Sequence, residues 1–276
     1  MYMKLKGGKS KVLNMSYDDG YVHDIRFLEI LDKYGIKASL NINTGMYLPE
    51  DAVRDRPRGK LKLSECQDLY INSPHNVAVH GWNHPFMELL KPQEVLEEVL
   101  VDRKNIEQQY GTLARGMVMP YGTYTEEVID AIKMCGIDYL QLSGQTEKFD
   151  FPKDWHHWIP TCRHYNPKWL EFAHKFVEEE PDRRYGINWL FCVAGHSWEF
   201  NRHKNWDQLE EFCALVGGKE DIWYATCIEL RDYVMAYESL QVSVDKTIIR
   251  NPSAMDVWFE EKKVIYCVKA GESIRL

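Results

Sequence analysis

The stretch Lys11-Val-Leu-Asn-Met-Ser-Tyr-Asp-Asp-Gly20 is the clearest pattern in this chain. Its apolar first part predicts a buried β-strand, and two aspartates and a glycine stand where that strand would end. About sixty residues further on comes His80-Gly-Trp-Asn-His84. An acidic pair at a strand end and two histidines four residues apart can hold a divalent metal ion and leave one carboxylate free as a base. The combination predicts metal-assisted hydrolysis.

The rest of the chain alternates between two periodicities. Short apolar, β-branched runs predict strands at 11–16, 38–43, 76–79, 116–119, 139–142, 189–193 and 222–225. Amphipathic stretches predict helices at 22–34, 92–110, 125–135, 167–179, 206–216 and 228–238. Strands that alternate with helices favour a parallel sheet or barrel, so the predicted fold class is α/β.

Glycine and proline mark the ends of the predicted helices. Pro92 and Pro167 are expected in first turns, where the missing N–H costs nothing. Four glycines directly follow helical stretches and predict left-handed C-terminal caps: Gly35, Gly111, Gly136 and Gly217.

Polar side chains follow several of the predicted strands. Asp18 and Asp19 come after the first strand, His80 after the third, the Pro120-Tyr-Gly122 turn after the fourth and His196 after the sixth. Because the carboxyl ends of parallel strands meet at one edge of a sheet, these groups are expected to gather there.

The pattern changes after Ser239, where short β-rich runs follow one another without helices between them. We expect a barrel domain at 1–238 and a small β-rich C-terminal extension at 239–276 that packs on it. The runs predicted as strands of this extension are 240–244, 247–250, 254–260 and 264–269.

Composition and charge limit the partners of the chain. Its 276 residues are 45% hydrophobic and 28% charged, which is ordinary for a globular protein. The formal net charge is −8, and neither nucleic acid nor an anionic membrane is expected as a partner, because both reward clustered Lys and Arg. No apolar run approaches the roughly 18–20 residues of a membrane span, and none follows the basic N-terminus as in a signal peptide. The seven cysteines are scattered without a CxxC pair, which favours reduced thiols and a cytoplasmic protein.

Together, these motifs resemble those of the polysaccharide deacetylases of the NodB-homology type, also called carbohydrate esterase family four. Ser16-Tyr-Asp-Asp-Gly20 stands where the family has T-F-D-D-G, and His80-Gly-Trp-Asn-His84 stands where it has H-S/T-x-x-H. Met119-Pro-Tyr-Gly122 matches the end of R-x-P-Y-G, and Ala194-Gly-His196 stands where L-x-H is expected. The resemblance implies a distorted (β/α)7 barrel that removes acetyl groups from N-acetylated sugars, or occasionally from O-acetyl esters.

The resemblance also implies a metal site. Asp19, His80 and His84 would hold a divalent ion, for which zinc is expected and cobalt or nickel are alternatives. The ion would lower the pKa of its water and polarise the acetyl carbonyl. His75 stands where a histidine often precedes the motif, and it is expected to support the ligands from outside or to be a structural residue, without binding the ion.

Three residues receive catalytic roles from the same resemblance. Asp18 would be the general base that takes a proton from water, and the backbone N–H of Tyr121 would help to hold the oxyanion. His196 would be the general acid that protonates the departing amine, because an amide anion is a very poor leaving group. Four residues are expected to contact a small carbohydrate substrate: Trp82, Pro120, Tyr121 and Trp198.

The chain departs from the family pattern at two motif positions. Val118 replaces the arginine of R-x-P-Y-G, so the cation expected beside the general base is missing there, and Ala194 replaces the leucine of L-x-H. Arg163 or Arg202 could supply that cation from another loop. Asp154-Trp155 loosely matches an Asp and a Trp that, in the family, tune the acid histidine and line the pocket.

Simpler interpretations stay open for each motif. The Asp18-Asp-Gly20 run is also typical of a turn or helix N-cap, the two motif histidines could share a helix surface, and His196 could be a buried structural histidine. Two other functions remain as alternatives: hydrolysis of cyclic ureides such as allantoin, and carbohydrate binding on a scaffold that has lost catalysis. Metal-free ureide chemistry is disfavoured because all three metal ligands are retained. We therefore predict metal-dependent deacetylation of a carbohydrate, with no prediction of oligomeric state.

Overall fold

The computed structural model describes residues 1–54, 59–182 and 187–276. Its strands are β1 (Tyr2–Lys4), β2 (Lys11–Asp18), β3 (Ala38–Ile42), β4 (Asn76–Val79), β5 (Gly116–Val118), β6 (Tyr139–Gln141), β7 (Cys162–Arg163), β8 (Trp189–Gly195), β9 (Ile222–Tyr224), β10 (Gln241–Val242), β11 (Ile248–Arg250), β12 (Val257–Glu261), β13 (Val264–Val268) and β14 (Ser273–Arg275). Its helices are α1 (Asp24–Lys33), α2 (Leu63–Tyr70), α3 (Pro92–Tyr110), α4 (Glu126–Met134), α5 (Trp169–Glu178), α6 (Ser197–His203), α7 (Trp206–Val216) and α8 (Cys227–Glu238). Within the described ranges, no helix combines the length and the apolar character needed to cross a bilayer.

Parallel strands form the central sheet, which curls into a half-barrel. Seven of them lie in the order β6-β5-β4-β3-β2-β8-β7, and β9 pairs with the beginning of β2. At the centre, Ser16 of β2 lies opposite Ser39 of β3 and Ala194 of β8. The predicted α/β class and barrel-like parallel sheet are confirmed.

The central place of β2 follows from its composition. All eight of its residues are buried, and Leu13, Met15 and Tyr17 are at most 1% exposed. A strand covered on both faces needs such a near-continuous apolar run. Burial of each large apolar side chain contributes about 1.5–3 kcal/mol to stability. The strand ends at Asp18, so the same burial that anchors β2 also carries the acidic pair to the carboxyl edge of the sheet.

Helix α3 packs through an apolar stripe of helical period. Val95, Val99 and Ile106 are buried along it, where they face β4 and α4. Gly111 ends the helix with φ 66°, as a left-handed cap requires. Asp102 is fully buried on the same stripe, which is an unusual position for a carboxylate.

Two of the predicted helix ends are wrong. Gly217 is extended with φ −77°, and the left-handed residue is Gly218 with φ 67°. Pro167 lies outside the first turn, because α5 begins two residues later. The other predicted left-handed caps have φ of 67° at Gly35, 66° at Gly111 and 69° at Gly136.

Three short elements of the main sheet and its helices, β7, α2 and α6, were not predicted. β7 has two residues and exists only through its pairing with β8. α2 and α6 have eight and seven residues, too few to display a helical period. Their positions depend on neighbours in space and not on local pattern.

The C-terminal strands form two small antiparallel sheets, in the orders β10-β11-β14 and β1-β12-β13. Their shared core contains Ile249, Phe259 and Val268, each fully buried. The N-terminal strand β1 belongs to the second sheet, since Met3 pairs with Phe259. The division of the chain at residue 238 stays a prediction.

Candidate active site

A cleft of about 380 Å³ lies at the carboxyl edge of the half-barrel. Residues that follow β2, β4, β5 and β8 line it, because the carboxyl ends of parallel strands meet at one edge. The residues with predicted roles that line this cleft are Asp18, Asp19, His80, His84, Tyr121, His196 and Trp198.

Asp19, His80 and His84 form a candidate metal site. One donor atom from each residue lies within 4.8 Å of the others. Asp19 Oδ1 is 3.4 Å from His84 Nε2 and 3.8 Å from His80 Nε2. Two donors that each lie about 2.1 Å from one zinc ion are roughly 3.4 Å apart at a tetrahedral angle. The spacing and the chemistry of the three donors therefore fit a divalent ion.

The protonation of the two histidines also suits metal binding. His80 Nδ1 donates a hydrogen bond to the carbonyl oxygen of Val118 at 2.8 Å, which leaves a lone pair on Nε2. Burial lowers the pKa of His80 to about 4 and the pKa of His84 to about 4. Both imidazoles are therefore neutral near pH 7 and can bind a cation.

Left-handed backbone turns three of these residues toward the cleft. The φ angle is 86° at Asp19, 54° at His84 and 57° at Tyr121. Such conformations cost non-glycine residues on the order of 1–3 kcal/mol each, and they cluster at functional sites. At Asp19 the consequence is direct, because consecutive strand residues point to opposite faces. The turn, which continues through Gly20 with φ 64°, lets Asp18 and Asp19 line the same cleft.

Asp18 is a buried carboxylate next to the candidate metal ligands. It is 5% exposed and accepts a hydrogen bond from Asn41 Nδ2 at 2.8 Å. Burial raises the pKa of Asp18 to about 6, against the opposing charges of His196 and Arg163. A carboxyl group with a pKa near 6 can take up a proton close to neutrality, which suits a general base.

His196 approaches Asp19 from the N-cap of α6. Its Nε2 is 3.8 Å from Asp19 Oδ2, and its Nδ1 is 3.2 Å from Glu199 Oε2. Burial alone would lower the pKa of His196, but the hydrogen bond with Glu199 and the two nearby aspartates outweigh burial and raise the pKa. A histidine that keeps its proton near neutrality suits a general acid.

Comparison with known proteins shows what the chain resembles. Residues 6–140 match the family model described as polysaccharide deacetylase. Over this stretch, just under half of the chain, the sequence is similar to the polysaccharide deacetylase family. Peptidoglycan-N-acetylglucosamine deacetylase PgdA of Listeria monocytogenes is 25% identical over 148 residues, which cover 53% of this chain and 28% of the relative. Chitin deacetylase 1 of Cryptococcus neoformans is 26% identical over 150 residues, which cover 52% of this chain and 29% of the relative.

A solved structure supports the same fold over more of the chain. A protein of Mycobacterium smegmatis that is assigned to the polysaccharide deacetylases superposes with a TM-score of 0.59 and 15% identity. The superposition covers 86% of this chain and 94% of the other. The sequence matches to the two deacetylases, by contrast, span less than a third of each of those relatives.

The departure from the deacetylase motif at Val118 leaves no cation at that position. Val118 is 6% exposed, and it follows the apolar pattern of β5. Arg163 of β7 lines the cleft, and its charge opposes the effect of burial on Asp18. Arg202 lies over the ring of Trp198, 5.9 Å from the ring centroid. Of the two arginines that could replace the motif arginine, Arg163 is thus the one whose charge acts on Asp18.

Asp154 and His75 both lie outside the candidate active site, and for His75 this agrees with a structural role. Asp154 bonds His157 Nδ1 at 2.7 Å and accepts the backbone N–H of His156 at 2.8 Å, so its predicted match to the acid that tunes His196 is wrong. His75 Nδ1 accepts the backbone N–H of Ala38 at 3.0 Å, which ties it to the start of β3. Among the described residues that line the cleft, neither side chain appears.

The residues predicted to contact substrate separate into two groups. Tyr121 stacks on Phe86 with ring centroids 3.8 Å apart, and the two side chains are 54% and 44% exposed. Trp198 also lines the cleft, although it is only 9% exposed. Trp82 and Pro120 are not among the described residues that line the cleft. Phe86 was not predicted, because nothing in its sequence surroundings distinguishes it from a core residue.

The residues that hold the His80 turn were not predicted from sequence motifs. Asp102 of α3 accepts the backbone N–H of His80 at 3.0 Å and that of Thr44 at 2.8 Å. Asn43 Nδ2 donates to the carbonyl oxygen of His80 at 2.6 Å. One pattern could have revealed Asp102, since it is a carboxylate on the apolar stripe of an amphipathic helix.

Lys60 is another residue of the site that was not predicted. Its Nζ is 3.7 Å from Asp19 Oδ1, donates to the carbonyl oxygen of Asp19, and lies 4.5 Å from the ring centroid of Tyr21. Burial would raise the pKa of Asp19, but Lys60 and the surrounding histidines outweigh burial and lower the pKa. No motif marks Lys60, because its contact with Asp19 joins two loops far apart in sequence.

Proposed function

We propose that this chain is a metal-dependent deacetylase that removes the acetyl group from an N-acetylated carbohydrate. The observation that carries the proposal is the meeting of Asp19, His80 and His84 within 4.8 Å in a cleft that Asp18 and His196 also line. The match of residues 6–140 to the polysaccharide deacetylase model supports the carbohydrate substrate. The names of the two relatives point to N-acetylglucosamine in peptidoglycan and to chitin.

Asp19, His80 and His84 would hold the ion, and zinc is the first choice because one carboxylate and two imidazoles are common zinc ligands. When bound, the ion would supply a water of lowered pKa and polarise the acetyl carbonyl. Cobalt and nickel suit the same donors, so metal identity belongs to the proposal and to its test.

The side chains around the ion site would move the protons. Asp18 would accept a proton from the attacking water, a step that its raised pKa of about 6 favours. The backbone N–H of Tyr121 would donate to the oxyanion that develops on the carbonyl oxygen. His196 would give a proton from Nε2 to the leaving nitrogen.

The size of the cleft supports a small carbohydrate substrate. Its volume of about 380 Å³ lies at the lower end of the roughly 300–1,000 Å³ that is usual for ligand sites. The exposed ring of Tyr121, which Phe86 supports from behind, would pack against the apolar face of a sugar ring, with Trp198 deeper in the cleft.

The test of the proposal is acetate release from N-acetylglucosamine oligomers by protein stripped with a chelator and reloaded with zinc, cobalt or nickel. Activity is expected only in the reloaded protein. Asp18→Asn should abolish turnover but leave the metal bound, because Asp18 is not one of the three ligands. Asp130→Asn, at an exposed position of α4, serves as the matched control.

Three outcomes would reject the proposal. Sugar binding without acetate release, at saturating metal, would favour a scaffold that has lost catalysis. Hydrolysis of allantoin without release of acetate would favour the ureide reaction. Full activity of Asp18→Asn would show that Asp18 is not the general base.

A further inference from the structure

His196 is held by a carboxylate on the nitrogen that does not face Asp19. Within the described ranges, Glu199 is the carboxylate bonded to His196 Nδ1, at 3.2 Å. A carboxylate only accepts, so Nδ1 carries the hydrogen. Nε2 is then the atom directed toward the candidate metal ligands, 3.8 Å from Asp19 Oδ2.

Glu199 is in turn fixed by His164. His164 Nε2 is 3.4 Å from Glu199 Oε2, and His164 Nδ1 is 3.1 Å from the hydroxyl of Tyr17. The His164 ring stacks on Phe200 with centroids 4.1 Å apart, and a Cβ at Gly195 would lie 2.1 Å from His164 Nδ1, so only glycine fits there. The side chains of His164 and Glu199 are 1% and 13% exposed. The buried His164 ring thus lies directly against the Glu199 carboxylate, on the side away from solvent.

Glu199 keeps its negative charge although it is partly buried. Burial would raise the pKa of Glu199, but its hydrogen bond with His196 and the charges of His196 and His164 outweigh burial and lower the pKa. The same carboxylate also accepts the backbone N–H of His196 at 3.2 Å and thereby caps α6. One group thus fixes both the backbone and the ring of the histidine.

We propose that Glu199 is the positioning residue of His196 in deacetylation, an inference that rests on the proposed function. Glu199 holds the imidazole through Nδ1–H so that Nε2 presents its proton to the leaving nitrogen. As the C–N bond breaks, its electron pair stays on nitrogen, and that nitrogen takes the proton from Nε2. The amine leaves, and His196 becomes neutral with the hydrogen on Nδ1 still held by Glu199.

The test compares Glu199→Gln with Glu229→Gln in the zinc-loaded full chain. Glutamine keeps the side-chain length and an oxygen that can cap the helix, but it removes the charge. Glu229 holds the corresponding third position of α8 and accepts the backbone N–H of Thr226 at 2.9 Å. The Glu229→Gln variant therefore measures the effect of an altered cap outside the cleft, together with the loss of the ion pair between Glu229 and Lys37 at 2.6 Å.

The expected result depends on the leaving group. On N-acetylglucosamine oligomers, Glu199→Gln should lower kcat roughly 10–100-fold with unchanged KM and zinc content, because acid catalysis is weakened. On 4-nitrophenyl acetate, whose leaving group departs without a proton, the loss should be at least about fivefold smaller. Glu199→Asp should recover part of the activity on the amide substrate. Glu229→Gln should leave the activity on both substrates unchanged. Equal losses on both substrates, or loss of zinc, would overturn the positioning role.

A spectroscopic measurement separates this inference from the proposed function. The ¹⁵N NMR shifts of the His196 imidazole report which nitrogen carries hydrogen, without any turnover. Nδ1–H is expected in the wild type and a mixture of tautomers in Glu199→Gln. A wild type without hydrogen on Nδ1 would overturn the positioning role even in an active enzyme. An intact Nδ1–H in a zinc-loaded wild type that releases no acetate would instead reject the proposed function, and with it the reaction that Glu199 serves.

Discussion

At the residue scale, burial acts in opposite directions on the candidate metal ligands. It lowers the pKa of His80 and His84 to about 4, so both rings are neutral and keep a lone pair for a cation. Asp19 keeps its charge, because Lys60 and the nearby histidines outweigh burial. One carboxylate and two neutral imidazoles leave net positive charge on a divalent ion, which a Lewis acid needs.

Replacement of one ligand should release the ion. Loss of a residue that only hydrogen-bonds a metal ligand typically weakens metal binding roughly 10–100-fold. His84→Ala removes a ligand itself, so we expect a larger loss of zinc affinity and no acetate release. Metal content after dialysis and acetate release are the measurements. His174→Ala, at an exposed histidine of α5, is the control and should retain both. A His84→Ala protein that keeps stoichiometric zinc would contradict the ligand assignment.

At the element scale, the strands place the site, and the adjoining loops and helices orient it. The His80 turn is held by Asp102 from α3 and by Asn43 from the end of β3. Asp24, at the start of α1, accepts hydrogen bonds from Ser197 of α6 and Tyr70 of α2. Asp102 thus ties α3 to the edge of the sheet, and Asp24 ties α1, α2 and α6 to one another.

Loss of the Asp102 carboxylate should destabilise the fold. Asp102→Ala leaves the buried N–H groups of His80 and Thr44 without their acceptor, so we expect the free energy of unfolding to fall by about 2–4 kcal/mol. Urea unfolding of the metal-free protein measures this change. Asp130→Ala, on the exposed side of α4, should change stability by less than about 0.5 kcal/mol. Similar losses in the two variants would show that the hydrogen bonds of Asp102 do not contribute to the free energy of unfolding.

Asp24 should give the metal-free protein a pH-dependent stability. Burial raises the pKa of Asp24 to about 7, so between about pH 4 and pH 7 the folded state binds the proton more tightly than the unfolded state. The contribution of Asp24 to stability therefore falls as the pH rises through this window.

The variant Asp24→Asn has a neutral amide in place of the carboxyl group and does not titrate in this pH range. The stability of the variant relative to wild type should therefore improve by about 1.4 kcal/mol for each pH unit between pH 5 and 7, and then level off. Urea unfolding of both proteins at pH 5, 6, 7 and 8 tests this expectation. A stability difference that is the same at all four values would contradict it.

At the scale of the whole molecule, contacts between distant parts of the chain hold the half-barrel and the C-terminal sheets together. β9, which follows all the other strands of the central sheet in sequence, pairs with β2. The N-terminal strand β1 pairs with β12. Tyr233 of α8 donates its hydroxyl to the carbonyl oxygen of Lys4 at 2.6 Å. The loops of the cleft are thus attached to one continuous framework, and an ion that joins the loop after β2 to the loop after β4 should stabilise the whole fold.

Zinc should therefore raise the thermal midpoint of unfolding. At a free concentration of 100 times Kd the stabilisation is about 2.7 kcal/mol, which corresponds to a rise of roughly 5–10 °C. Asp19→Asn should show no such rise, although it has the same cysteines and histidines outside the site. Magnesium should have little effect on either protein, because it prefers oxygen ligands. An equal rise in wild type and variant would place the stabilising zinc elsewhere.

The sequence alone determined the parts of this protein that local pattern and spacing encode. The apolar run of β2, the helical stripe of α3 and the motifs from Asp18 to His196 were enough to predict the α/β fold and the resemblance to polysaccharide deacetylases. Each depends on residues close together in the chain, where period and turn chemistry act directly.

Only the tertiary structure decided which charged groups surround these motifs. Four contacts join segments with no shared sequence motif: Lys60 beside Asp19, Arg163 near Asp18, His164 against Glu199, and Asp102 beneath the His80 turn. The physical reason is that a buried charge needs a partner in space, and parallel strand pairing supplies that partner from segments tens or hundreds of residues away.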